Sequence, residues 1–423
     1  MTSASFRTVA VKAFSVLRDF WLIVGVCVAL LFFAESCYWL QDSARGPIRA
    51  ALSRGGASRP RIPHPVASEP WYPQFAKEFA ESGGLAWRPY VYFRRSGAYH
   101  GRYVNVDSQR HRVTPQPSTP GKPAARVFFF GGSTMWGSFL RDEHTIPAEA
   151  SKRLQTIAAS GERIEVTNFG ESGHVSTQGM LELILQLRTG NRPDVVVFYD
   201  GINDVFSQLQ NGEPGYGLNE NNRVAEFSLG RRLSWNGRDN GYAKDFHTLG
   251  VLAQTALARL AIVQRMQSAI RPPPSTPNLP IDSAAHRVAS IYTENVRVIE
   301  ALGREYDFTS VYVWQPTLHA TDKRLTPYEA RLMESVKADD AQRRLAAMHR
   351  AVLPLLDSAL ATVVPGRFIN EGGLFRGDSM PVFSDQVGHN TETAISVIVD
   401  AFWPALQAAV APRHAAKAAA ARR

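Results

Sequence analysis

Short apolar runs of strand length alternate with segments of helical spacing through much of the chain. The runs lie at residues 126–130, 164–168, 195–199 and 310–314. Between them, segments such as TIPAEASKRLQTIAAS and STQGMLELILQLRTG repeat apolar residues at the spacing of one helix face. Strands that alternate with helices pair in parallel, and the helices cover both sides of the sheet. The pattern therefore predicts an α/β fold with three α/β/α layers around a central parallel sheet.

Changes in composition divide the chain further. Residues 206–280 interrupt the alternation with a Gly/Asn-rich part and the run RPPPSTPNLP, and are predicted to be an insertion. The predicted segments are a basic N-terminus at 1–19, an apolar stretch at 20–40, an Arg/Ser/Gly/Pro-rich linker at 41–70, an aromatic-rich lead-in of short strands or extended chain at 71–124, the α/β domain at 125–411 and a basic tail at 412–423.

The apolar stretch 20–40 predicts a transmembrane anchor, because about 21 residues of helix span roughly 30 Å. A cleaved signal peptide is the alternative, but no clean small-x-small cleavage site follows the stretch. Five arginines follow it and three basic residues precede it, which by the positive-inside rule would keep the rest of the chain in the cytoplasm. A short basic N-terminus before an apolar segment is instead typical of an exporting signal anchor. We predict a single-pass membrane protein whose domain is exported, in a bacterium to the periplasm.

Composition narrows the class of partner. Of the 423 residues 44% are hydrophobic, which suffices for a packed core, and the net charge is +9. The basic residues are spread along the chain and no nucleic-acid motif occurs, so lipid headgroups are the expected anionic neighbours and nucleic acid is not an expected partner.

The two cysteines, Cys27 and Cys37, both fall in the predicted anchor. The remaining chain therefore has no thiolate nucleophile and no Cys-based zinc site.

Polar, glycine-rich segments follow three of the predicted strands, and a fourth precedes the last predicted helix. In an open α/β sheet the functional groups gather at the carboxyl ends of the strands. The four segments are GGST at 131–134, NFGESGHVSTQG from Asn168, YDGIND from Tyr199 and SDQVGHNTE from Ser384.

These four segments, in this order, resemble the four blocks of the SGNH/GDSL hydrolase family, and the lead-in is similar to that of some bacterial members. The resemblance implies a flavodoxin-like central sheet, a nucleophile at Ser133, oxyanion-hole residues at Gly173 and Asn203, and a base in the last block. Two departures stand out. Gly132 replaces the family's usual Asp before the nucleophile, and Asp385 and His389 are one residue further apart than the usual Asp-x-x-His.

The residue types fit this chemistry. A serine hydroxyl needs a base to take its proton, and histidine has a suitable pKa. His389 would be the base and Asp385 would orient it and stabilise its charged form. The backbone N–H groups of Ser133 and Gly173 and the side-chain amide of Asn203 would form the oxyanion hole. The extra residue can be absorbed if Gly388 adopts a positive φ.

Alternatives remain at several positions. Ser133 could merely cap the following helix, residues 201–204 could be a plain turn, and His174 is a rival base. Asp204 is predicted to support its loop, and His319 to lie at the rim of the site and touch substrate.

The predicted function is a serine esterase acting on acyl or O-acetyl esters of an envelope glycan or lipid, without a metal or cofactor. Two alternatives stay open. An O-acyltransferase would use the same residues and resolve the acyl-enzyme with a sugar hydroxyl. A catalytically silent envelope scaffold is favoured by the lengthened Asp385–His389 spacing.

Overall fold

The computed structural model describes residues 64–117, 123–158, 162–220, 223 and 279–421, together with residues 18–26, 29–30, 33 and 36 near the N-terminus. By its contacts the chain divides into two units, the first formed by residues 1–61 and 224–275 and the second by 62–223 and 276–423. In the second unit the helices are α1 (Tyr72–Glu81), α2 (Ser133–Trp136), α3 (Ile146–Ile157), α4 (Ser176–Arg188), α5 (Ile202–Asn211), α6 (Ile281–Tyr306), α7 (Pro327–Ala338), α8 (Asp340–Val363) and α9 (Glu392–Ala421). The strands are β1 (Leu85–Arg88), β2 (Tyr92–Arg95), β3 (Tyr99–His100), β4 (Asn105–Val106), β5 (Ala125–Gly131), β6 (Ile164–Asn168), β7 (Val195–Asp200), β8 (Thr309–Trp314) and β9 (Phe368–Asn370).

The central sheet has five parallel strands in the order β6-β5-β7-β8-β9. Numbered along the chain within the sheet, this order is 2-1-3-4-5, the flavodoxin-like order. From β5 the chain first adds β6 on one side of the sheet and then β7, β8 and β9 on the other side. The side on which strands are added therefore changes next to β5, and this position is the topological switch point. The carboxyl ends of β5, β6 and β7 therefore meet at the switch point, where the first three polar segments begin.

Each face of the sheet buries a separate core, because side chains alternate along β5. Val127 and Phe129 pack with α3, α7 and α9, whereas Phe128 and Phe130 pack with α4, α5, α6 and α8. All four side chains are completely buried. Burying one such side chain stabilises the fold by about 1.5–3 kcal/mol relative to leaving it exposed. The predicted three-layer α/β/α arrangement is confirmed.

The lead-in contains more regular structure than the sequence indicates. Helix α1 precedes two small antiparallel sheets, β1–β2 and β3–β4. The helix buries Phe75 against Val104, Val106 and Trp136, and so attaches the lead-in to the turn after β5. In the predicted insertion, α5 extends to Asn211. Most of residues 221–278 lie outside the described residues.

Two segments bear on the membrane prediction. In the first unit, residues 18–26, 29–30, 33 and 36 are helical, and all of them except the half-buried Val24 are exposed. The rest of the predicted anchor lies outside the described residues. Within the described parts of the chain, the helix with the length and composition of a membrane span is the segment Glu392–Ala411 of α9. It buries Ile398, Phe402 and Leu406 in the core beneath the sheet, as the core helix of a globular domain does. The backbone of α9 continues through the predicted tail to Ala421.

Candidate active site

Ser133 stands at the turn where β5 gives way to α2. Gly132 occupies the N-cap position with extended backbone angles (φ −83°, ψ −154°), and Ser133 is the first helical residue. Among the described residues, no helix N–H group donates to the Ser133 hydroxyl. Instead its Oγ lies 2.7 Å from Nε2 of His389. The side chain is therefore free of a structural role in the helix and is directed to the last polar segment.

His389 is held between Ser133 and Asp385. Its Nδ1 lies 2.6 Å from Oδ2 of Asp385, on the side of the ring opposite Ser133. The other carboxylate oxygen, Oδ1, accepts hydrogen bonds from the backbone N–H groups of Val387, Gly388 and His389 at 3.0, 3.0 and 3.1 Å. One carboxylate thus both folds the loop and orients the imidazole, with the Nδ1–H tautomer that leaves Nε2 as the acceptor for the Ser133 proton.

The extra residue between Asp385 and His389 is accommodated at Gly388. Its φ is +107°, as the sequence predicts, and this is a conformation that residues with a Cβ rarely adopt. A Cβ at this position would also lie 3.2 Å from the backbone of Thr317 in the neighbouring loop. On either side of the loop, the Ser384 N–H donates to the His389 carbonyl, and Phe383 forms a bridge with Asn390. The insertion is therefore taken up inside a closed turn.

The pKa of Asp385 reflects this environment. Burial raises the pKa of Asp385. The charge of His389 and the hydrogen bonds from its ring and from the loop backbone together lower the pKa by more than burial raises it, so that it lies below its ordinary value. Asp385 is consequently ionised throughout the neutral range, as a partner of an imidazolium must be.

Asn203 and the Gly173 loop meet at the turn before Ser133. Nδ2 of Asn203 donates to the carbonyl of His174 at 2.8 Å, which leaves its second N–H for another acceptor. The N–H groups of Glu171, Ser172 and His174 each have an acceptor within the loop or on Gly131. Gly173 has a φ of +76°, and in the part of the chain described no acceptor is seen for its N–H. Asn203 and Gly173 thus each have an N–H group for which no acceptor is seen among the described residues.

Gly132 provides the space in which these groups come together. A Cβ at Gly132 would lie 2.3 Å from Asn203 Nδ2 and 3.3 Å from the His174 carbonyl oxygen. The side-chain amide of Asn203 therefore packs directly on the backbone before Ser133. This packing is consistent with glycine at position 132 in place of the Asp that is usual in the SGNH/GDSL family, because an Asp side chain here would collide with the Asn203 amide.

We expect Gly132→Ala to slow turnover by roughly 10²–10³-fold, because the new methyl group would displace one oxyanion donor. The amide is the end of a side chain and can move aside, so the fold should persist. The measurement is kcat on p-nitrophenyl acetate together with the melting temperature. Gly97→Ala is the matched control, since Gly97, like Gly132, has no positive φ, and a Cβ added there would meet no atom within 4 Å. Wild-type kcat in Gly132→Ala would show that Asn203 is not a donor to the reaction.

The loop that carries Gly173 is held in place by the lead-in strand β2. The backbone N–H of Arg95 donates to the Glu171 carboxylate at 3.1 Å, and its guanidinium donates to Ser172 Oγ at 2.6 Å and pairs with Glu171 at 3.0 Å. The Phe93 carbonyl lies 3.2 Å from His174 Nε2. The guanidinium also stacks over Trp136 at 3.8 Å. The sequence analysis did not detect this arrangement, because Arg95 and Phe93 lie 76 to 81 residues before their partners in the loop.

The remaining candidates have other surroundings. His174 faces Phe93 rather than Ser133, and burial lowers its pKa to about 3, so it is neutral near pH 7. Asp204 accepts hydrogen bonds from the backbone N–H and hydroxyl of Ser176 and ties α5 to α4, the supporting position that was predicted. The expectation that His319 lies at the rim is wrong. It is completely buried, and its Nε2 lies 2.7 Å from Gln342 of α8.

Comparisons with known proteins yield matches in structure only. No family model matches the chain, and no curated protein matches it in sequence. Among solved structures, a lipolytic protein of the G-D-S-L family from Veillonella parvula is 11% identical, with 66% of this chain and 96% of that chain covered and a TM-score of 0.36. An acetyl xylan esterase, AlAXEase, is 13% identical, with 66% and 98% covered and a TM-score of 0.34. The acetylxylan esterase Axe2 from Geobacillus stearothermophilus is 13% identical, with 67% and 94% covered and a TM-score of 0.32.

Proposed function

We propose that this protein is a serine ester hydrolase of the SGNH type, which acts on acyl or O-acetyl esters. The observation that carries the proposal is the continuous chain of contacts from Ser133 Oγ through the His389 ring to Asp385, with separations of 2.7 and 2.6 Å. These are the distances at which a base can take the proton of a nucleophile and a carboxylate can support the base.

The geometry supports an acyl-enzyme mechanism. Ser133 Oγ attacks the ester carbonyl carbon while its proton passes to Nε2 of His389. The carbonyl oxygen becomes an oxyanion that accepts hydrogen bonds from the N–H groups of Ser133 and Gly173 and from Asn203 Nδ2. His389 then returns the proton to the departing alcohol oxygen as the C–O bond breaks. Water attacks the acyl-enzyme by the same route, with His389 as base, and releases the acid.

The experiment that tests the proposal is labelling of the full chain with a fluorophosphonate probe, with hydrolysis of p-nitrophenyl acetate measured in parallel. The expected result is labelling at Ser133 and steady acetate release. Adding an oligosaccharide acceptor separates the acyltransferase from the hydrolase, since a transferase would convert acetate release into acetylated sugar. A wild-type protein that neither labels nor hydrolyses would contradict the proposal and favour a silent scaffold.

We also propose that residues 20–40 anchor the domain to membrane lipid, with the catalytic domain exported. The length and apolar character of the stretch support the anchor, and the basic N-terminus before it supports export. Alkaline phosphatase fused after Arg423 is then expected to be active, because this reporter functions only after export. A cytoplasmic reporter such as β-galactosidase at the same position should be inactive. The reverse pattern would show that the arginines after the stretch set the orientation.

A further inference from the structure

An open cavity of about 660 Å³ lies beside the loop that carries Asp385 and His389. Its walls are the segment from His64 to Ser68, the start of α7 from Thr326 to Arg331, and Pro381. A cavity of this size accommodates a substrate group larger than an acetyl ester. None of its lining residues belongs to the triad or the oxyanion hole.

Two side chains connect the cavity wall to the catalytic groups. Tyr328 donates a hydrogen bond of 2.5 Å to the carbonyl of Ser384, the residue before Asp385. On the other wall, the ring of Phe139 lies 5.3 Å from the ring of His64 and 5.3 Å from that of His389, measured between centroids. A single aromatic ring therefore separates the cavity wall from the catalytic imidazole. A group bound in the cavity would be adjacent to an ester held at Ser133.

The charges around the cavity leave one cation without an anionic partner. Arg331 lines the cavity and is exposed, and it takes part in none of the salt bridges among the described residues. Lys323 and Glu329 beneath it neutralise each other in a buried pair at 3.0 Å. Burial lowers the pKa of His64, although Asp385 and Glu392 oppose the shift, so its ring is uncharged near pH 7.

The two anions that act on His64 are themselves paired. Asp385 is bound to His389, and Glu392 is bound by the guanidinium of Arg141 at 2.7 Å. The net charge offered to a ligand is thus the guanidinium of Arg331. A guanidinium binds carboxylates through two parallel hydrogen bonds.

We propose that this cavity binds the alcohol part of the ester and selects an acidic saccharide, whose carboxylate pairs with Arg331. The proposal rests on the proposed esterase function. The Ser68 hydroxyl and the Arg331 guanidinium are polar groups of a wall otherwise formed largely by prolines and the Tyr328 ring, a mixture that suits a saccharide, whereas a long acyl chain would leave the guanidinium without a partner. The acyl group itself would lie on the other side of Ser133, towards Gly173.

The test compares two acetylated oligosaccharides of equal length, one of uronic acid and one of neutral xylose, on the full-length protein. In the wild type, kcat/KM should be higher for the acidic substrate. In Arg331→Gln the ratio of acidic to neutral kcat/KM should fall by about 10–100-fold, mainly through KM, because the lost interaction is a hydrogen bond to a charged group. High salt should reduce the wild-type preference.

Arg297→Gln is the matched control, because Arg297 is an exposed arginine of α6, on the opposite face of the sheet. It should keep the wild-type ratio. An unchanged ratio in Arg331→Gln, an equal fall in Arg297→Gln, or a wild-type preference for the neutral saccharide would overturn the proposed subsite. Hydrolysis of p-nitrophenyl acetate by the same preparations distinguishes failure of the proposed subsite from failure of the proposed esterase function. Activity on that ester with no acidic preference rejects the subsite alone, whereas a wild type inactive on all three esters rejects the esterase function and the subsite with it.

Discussion

Ser133→Ala is expected to reduce kcat on p-nitrophenyl acetate by about 10⁴–10⁶-fold while the fold remains intact. The hydroxyl is the only group that this substitution removes, and its Oγ is the atom in contact with His389. Among the described residues, the hydroxyl is paired with His389 and with no helix N–H group, so its loss should leave the melting temperature nearly unchanged. Labelling by a fluorophosphonate should disappear in the same variant.

The double variant Ser133→Ala/His389→Ala makes this test sharper. When residues act as one catalytic unit, the loss of one member removes most of the rate that the others contribute. The second substitution should therefore lower kcat little below that of Ser133→Ala. Ser138→Ala is a suitable control, because Ser138 is a buried serine of the same turn outside the triad. If His389→Ala alone stayed active while His174→Ala did not, the base would be His174, on the loop that carries Gly173.

Asp385→Asn is expected to lower kcat by about 10⁴-fold, provided the loop keeps its shape. An amide at this position can present its N–H₂ group to His389 and so favour the tautomer that cannot accept the Ser133 proton. The remaining amide oxygen can still accept the three backbone hydrogen bonds that fold the loop. Near-normal kcat in a folded Asp385→Asn protein would exclude Asp385 as the partner of His389. Asp282→Asn, at an exposed carboxylate in the first turn of α6, should retain full activity.

The same substitution should change the acid stability of the protein. The pKa of Asp385 is lower in the folded state than its ordinary value of about 3.9. Its contribution to stability is therefore present above that pH and is lost as the pH falls through the folded pKa. The wild type should lose stability over this window, and Asp385→Asn should lack that part of the loss. Denaturant unfolding at pH 6 and below pH 4 measures the difference.

The sequence predicted the elements that have a strong local pattern. Three of the four predicted strands are nearly continuous buried runs, and Ile164–Asn168 alternates buried and partly buried residues; the structure places a strand at each of the four. The fifth strand, β9, has three residues that are only partly buried, so no apolar run marks it. Ser133, Gly173 and Asn203 were predictable as candidates because they follow strand ends, where a parallel sheet brings loops together. Asp385 and His389 precede the last helix and were predictable from the resemblance of their segment to the last block of the family.

Features that depend on distant parts of the chain were not predictable. The burial of His319 results from its contact with Gln342, and nothing near His319 in the sequence indicates that α8 would cover it. The cavity beside Tyr328 combines the segment at His64 with a helix more than 250 residues later. Gly388 is the exception, since its positive φ could be predicted from the spacing of two nearby residues and the special freedom of glycine.

The contacts of β2 with the loop that carries Gly173 determine how small an active fragment of this protein can be. A fragment starting at Ala125 would keep the central sheet, both helical layers and the contacts among Ser133, His389 and Asp385. It would lack the Arg95 groups that bind Glu171 and Ser172, and the Glu171 carboxylate would lose its cation. Such a fragment should still fold around the sheet, yet hold the Gly173 N–H loosely and turn over slowly. We therefore expect the smallest fragment with esterase activity to include the lead-in. A protease cut between β2 and β5, followed by loss of the N-terminal piece, should abolish that activity without removing Ser133, His389 or Asp385.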